Sequence, residues 1–137
     1  EVEEYAMHIQ IEARVLGDIA RNHVIPTAIK YQNILIENFQ GIKDIYGKDF
    51  KKLAKEQMHL IESISSHIEN INGGITDMIN ARKKANKIED SQKRAIAYCD
   101  KIIPYFEEIR YHCDKLELLV DDEIWPLTKY RELLFTR

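Results

Sequence analysis

Apolar residues recur along the middle of the chain at Ile61, Ile64, Ile68, Ile71, Ile75, Met78 and Ala85, with Arg82 the one polar member of the series. The spacings alternate between three and four, which brings every member to one face of an α-helix. The pattern predicts one long helix from about Asp49 to Asn86. Gly73 and Gly74 fall inside it. Each costs about 1 kcal/mol relative to alanine in a helix interior, but the seam keeps its phase across them. A soft point is therefore expected there, not a loop.

A second stripe runs through Ala95, Tyr98, Ile102, Tyr105, Ile109, His112, Leu116 and Leu119, flanked by Cys99, Phe106, Cys113 and Val120. A stripe this wide implies contact with two neighbours. Pro104 interrupts it, removes one backbone donor and predicts a kink near Ile103. Asp90 or Ser91 supplies the N-cap.

The first segment, about Val2 to Phe39, is helical by Tyr5, Ile9, Leu16, Ile19, Ala20, Tyr31, Ile34 and Leu35. Pro26 biases Ile25 away from the α region, which leaves open two helices meeting near Ile25 or one kinked helix. Gly41 and Gly47 punctuate a turn suited to an antiparallel hairpin. Beyond Glu123, Trp125 and Pro126 end the regular pattern, and Thr128 is placed to cap a final short helix through Phe135.

The resulting expectation is an all-α fold: an elongated antiparallel bundle of three long helices, the first kinked or split near Pro26 and the third kinked near Pro104, plus a short C-terminal helix. Residues 1–137 read as a single helical domain with no internal repeat or low-complexity tract.

A domain of 137 residues with 45% hydrophobic and 31% charged side chains is large enough to fold around one core without disulfides or metals. A net charge of -3 argues against a general nucleic-acid or anionic-membrane footprint. Apolar runs such as Leu118 to Val120 are far shorter than the ~20 residues needed to cross a bilayer. The chain begins at Glu1 with helical patterning already under way, so we expect it to be part of a longer protein. Cys99 and Cys113 on one helix stand about 21 Å apart, whereas a disulfide needs Cα atoms within about 7 Å. Two free thiols point to a reducing, cytoplasmic setting.

Candidate chemistry is sparse. Glu56 and His59 match the Glu-x-x-His unit of di-iron bundles, but no second unit accompanies them and the seam places both outward. Glu4 with His8 and Glu108 with His112 have i, i+4 spacing, short of the three or four ligands a zinc site needs. His23 and His67 complete the histidines. His112 reads as a core or interface residue with a local hydrogen bond. Arg82, Lys83, Lys84, Lys87, Lys93 and Arg94 form a basic patch. Glu107, Glu108, Asp114, Glu117, Asp121, Asp122 and Glu123 form an acidic counterpart; both are expected to be solvated faces that could set register against neighbouring chains. Trp125, Leu127, Tyr130, Leu133, Leu134 and Phe135 are equally suited to anchoring an interface or folding back on the bundle. No catalytic, cofactor-binding or metal-ligating residue is assigned.

Three phrases carry a resemblance: ARVLGDIARNHVIPTAIKYQN from Ala13, ARKKANKIED at Ala81 to Asp90, and AYCDKIIPYFEEIRYHCDKLELLVDDEIWPLTKYRELLF from Ala97. They resemble the C-terminal region of type III glutamine synthetases, the large bacterial form of the enzyme, over nearly the whole chain. The resemblance implies a parent that ligates ammonia to glutamate with ATP and Mg or Mn, through a γ-glutamyl phosphate, and that assembles as a large ring-built homo-oligomer. It also implies that the catalytic domain and its ATP, metal and glutamate sites lie upstream. The expected role of this chain is then non-catalytic: supporting the catalytic domain of its own chain or contacts with neighbouring subunits. The alternatives are an independent helical-bundle adaptor that binds partner helices and a metalloenzyme bundle.

Overall fold

The computed structural model describes residues 2–121 and 123–124. Helices α1 (Val2–Ile19) and α2 (Ile25–Tyr46) are joined by a π turn at Ala20–Val24 into a first rod. A 3-10 turn at Gly47–Asp49 and a four-residue helix, α3 (Phe50–Leu53), lead into α4 (Lys55–Asn86), the second rod. The third comprises α5 (Ser91–Ala97), a π turn at Tyr98–Ile102 and α6 (Ile103–Leu119). No strand occurs among the described residues.

Cross-rod bonds fix the directions. Gln32 donates to the Ile61 carbonyl at 2.9 Å, Arg21 Nε to Asn72 Oδ1 at 3.1 Å, and Gln10 Nε2 to Asn86 Oδ1 at 2.8 Å. As the first number falls the second rises, so the first and second rods are antiparallel. His67 meets His112 while Asn86 meets Tyr98, which makes the second and third antiparallel too. The up-down-up order expected from the sequence is present.

At both prolines the chain passes through a widened helical turn. The chain neither splits at Ile25 nor leaves the right-handed helical region there, with φ, ψ of -60°, -49°. Instead the Ile25 amide bonds five residues back, to Ala20 O, and the Ile103 amide likewise to Tyr98 O. A proline lacks the amide for the next bond, and its ring would press on the carbonyl four residues back. Widening the preceding turn by one residue moves that carbonyl out of the way.

The widened turn also shifts the core register. Ala6, Ala13 and Ala20 are buried at steps of seven, the next buried alanine is Ala28, eight on, and Leu35 follows at seven. The extra residue is housed in the π turn, so both halves of the rod present small side chains to one seam.

Two boundaries differ from the sequence reading. Gly41 lies within α2, and the chain reverses only at Gly47, whose φ of +55° favours a residue without Cβ. The second rod begins at Lys55 and not Asp49, because the corner from Gly47 to Leu53 folds as its own short turn over a T-shaped pair of rings, Phe39 and Phe50, with centroids 5.7 Å apart. Asp90 is the N-cap of α5 and accepts from the Lys93 amide at 2.9 Å. The predicted short helix from Thr128 to Phe135, with the apolar tail residues, lies outside the described residues.

α4 packs against both α2 and α6, and the core gathers along it: Ile64, Ile71, Ile75 and Met78 meet Ile102, Ile109 and Leu116 from one side and Ala20, Val24 and Ala28 from the other. The glycine pair is helical throughout. Gly73 faces open space. At Gly74 a Cβ would stand 3.1 Å from Ile109 Cγ1, so α6 passes close to α4 at this glycine.

Candidate functional site

Several polar arrangements interrupt the apolar contacts between rods. One is a cleft of about 270 Å³ between α1 with its π turn and α4. Its floor is Ala13, Gly17, Ile75, Met78 and Ile79; Arg14, Asp18, Arg21, Asn22 and Arg82 line it. Gly17 keeps the floor low. Arg21 is clamped across the rods, with Nε on Asn72 Oδ1 and Nη2 donating to Thr76 Oγ1 at 2.8 Å. Asn22 donates to Asp18 Oδ1 at 2.5 Å. Arg82 Nε is buried and has no hydrogen-bond partner among the described residues.

A second arrangement joins α4 to α6. His67 Nδ1 and His112 Nδ1 are 2.9 Å apart, so one ring donates from its Nδ1–H tautomer and the other accepts. His112 makes its bond across the bundle, not within its own helix to Glu108. Burial, helped by the nearby His112 and Lys115, holds His67 below the usual imidazole range.

The other residues singled out from the sequence stay apart. Glu56, His59, His8 and His23 are exposed. No group of three or more potential ligands among His, Cys, Asp and Glu converges on a metal position among the described residues. Of the basic patch, Arg94 caps the turn before it, donating to Ile88 O at 2.9 Å, while Lys83, Lys84, Lys87 and Lys93 are exposed. In the acidic run Asp121 accepts from the Glu123 amide at 2.9 Å, and Asp122 lies outside the described residues. Cys99 and Cys113 are free thiols. Burial pushes the Cys113 thiol up to about 12, which keeps it protonated and unreactive at neutral pH. Gln10, Asn86 and Tyr98 form a polar cluster between the rod ends that the sequence reading did not anticipate.

The cleft was also missed, although one signal was visible: Arg82 is the single charged residue in an otherwise apolar seam. Its neighbours Arg14 and Arg21 come from another rod, and nothing in local spacing ties them to Arg82.

Fold and polar groups together define an antiparallel helical-bundle domain with a cationic cleft between α1 and α4. Residues 1–43 match the family model described as glutamine synthetase C-terminal domain. The chain is 47% identical over 138 residues to a glutamine synthetase of Bacteroides fragilis (strain YCH46), covering 100% of this chain and 19% of the relative. It is 31% identical over 140 residues to a type-3 glutamine synthetase of Dictyostelium discoideum, covering 98% of this chain and 18% of the relative. The chain belongs to the glutamine synthetase family, to the part described as its C-terminal domain. It spans about a fifth of the length of the curated relatives it matches.

Proposed function

We propose that this chain is a non-catalytic helical domain of a type-3 glutamine synthetase and that its role is structural, supporting the catalytic domain or the contacts between subunits. The observation that carries the reading is identity along the whole chain to two proteins named glutamine synthetase, in a part that makes up under a fifth of each. The outer face of α1 supports it: Met7, Ile11 and Val15 recur at steps of four, each more than half exposed. Such a stripe is an apolar surface suited to contact with another domain. On this reading the parent ligates ammonia to glutamate with ATP and a divalent metal in the cytoplasm, as a ring-built homo-oligomer, and its chemistry is carried by residues outside this chain.

The test is removal of residues 13–137 from the parent, followed by light scattering and steady-state kinetics. Loss of the large assembly, with activity falling as subunits separate, is expected. Unchanged mass and unchanged kinetics would dismiss a structural role.

A further inference from the structure

We propose that the cleft between α1 and α4 is a binding site for a small oxyanion, a phosphate or carboxylate group joined to at most a short apolar body. The proposal goes beyond a structural role and rests on the geometry of Arg14, Arg21 and Arg82.

Three guanidinium groups and one carboxylate, that of Asp18, line the cleft, so positive charge exceeds negative by two. The Asp18 carboxylate is occupied by Asn22, and neither Arg14 nor Arg82 forms an ion pair among the described residues. Arg21 is held rigid by Asn72 and Thr76 on the opposite rod. A clamped guanidinium is preorganised and loses little freedom when an anion arrives. Arg82 supplies the observation that points to a ligand: its Nε is buried without a partner, at the seam position where the pattern calls for an apolar side chain. A buried donor left unpaired is costly, and an acceptor that met it as the Arg82 side chain turned toward the cleft would recover that free energy.

Local backbone sets the site's shape. The π turn starting at Ala20 brings Arg21 and Asn22 to the rim, in keeping with the frequent occurrence of π turns at binding sites. Gly17 leaves the floor open, and a Cβ there would stand 3.7 Å from Ile75 Cγ2. The floor of Ile75, Met78 and Ile79 accepts a compact apolar portion, while the modest volume excludes a large one. Forked guanidinium donors suit both phosphate and carboxylate.

The experiment is calorimetric titration of the full-length parent protein with inorganic phosphate and, separately, with succinate, in wild type and in Arg82→Met and Arg14→Gln. Arg82→Met keeps side-chain length and removes the unpaired donor, so it is expected to fold at least as well as wild type. Wild type should show one binding event per chain for at least one probe that weakens tenfold or more in both variants; the probe that shows it distinguishes phosphate from carboxylate ligands. Anion sites elsewhere in the parent contribute equally to all three proteins and cancel. Superimposable isotherms would overturn the proposal, as would a full-length structure with one of the protein's own carboxylates seated between Arg14 and Arg82. Should Arg82→Met fail to fold, the exposed Arg14→Gln decides alone.

Discussion

Gly73 and Gly74 are identical neighbours with opposite roles. Gly73 meets nothing within 4 Å, so Gly73→Ala should stabilise the protein by about 0.5–1 kcal/mol through helix propensity and a less flexible unfolded chain. Gly74→Val would push its branches into Ile109 and should destabilise by about 1–3 kcal/mol. Paired thermal melts check both, and a Gly74→Val melt above wild type would show that the helices can part without loss. The pair was legible as an anomaly in the seam. Which member mattered was not, because that depends on where α6 crosses α4. The His67 to His112 contact makes a second prediction at this scale. Its imidazole is held below the unfolded value of about 6.5, so the unfolded chain takes the proton more readily. Stability from the pair is thus complete above about pH 6.5 and is lost as pH falls through the folded-state pKa. Beside the pair stand Lys115 and Tyr111, both from α6. Urea midpoints should fall between pH 8 and pH 5.5, and fall less in His67→Gln; equal losses in both proteins would refute the link.

At the scale of elements, hydrophobic periodicity showed what the seam needs but not how the backbone meets the need. The isoleucine run of α4 was read directly and the α5 cap was narrowed to Asp90 or Ser91, since both depend on neighbours within one turn. The π turns were not. A proline announces that something must change in the preceding turn, and a kink, a break and a widened turn all satisfy the same local constraint. What selects among them is the step of eight from Ala20 to Ala28, a signal that becomes meaningful once both alanines are known to face the same partner. Deleting the exposed Asn22 together with Pro26→Ala should let the turn close to ordinary α geometry with the stripe in phase. Deleting Glu12 instead rotates one part of α1 against the other by about 100°, since a turn takes 3.6 residues. The first variant should retain cooperative unfolding and helical circular dichroism, and the second should lose several kcal/mol. Equal damage would mean that the π turn does not carry the register.

For the whole molecule, three antiparallel rods with a shared core account for the fold, and truncating that core should be felt throughout. Ile71→Ala, at a fully buried position between two rods, should cost about 2–5 kcal/mol by leaving a cavity, measured as a shift in denaturant midpoint with unchanged slope. Family membership was legible from long phrases such as ARVLGDIARNHVIPTAIKYQN, which carry more information than spacing alone. The cationic cleft was not, since it exists only where two rods separated by some sixty residues of sequence lie side by side.

The widened turn before Pro26 also has a meaning in heredity. A helix that must keep its face toward a partner cannot absorb one extra codon anywhere along its length except where the backbone can bulge, and Ala20–Val24 is such a place. Proline then locks the bulge in, because closing it would bring the ring against a carbonyl. A lineage that carries alanine in place of Pro26 is therefore free to lose that codon. Among relatives of this domain, those without the proline should be one residue shorter between Ala13 and Leu35, and those with it should match this chain's length there.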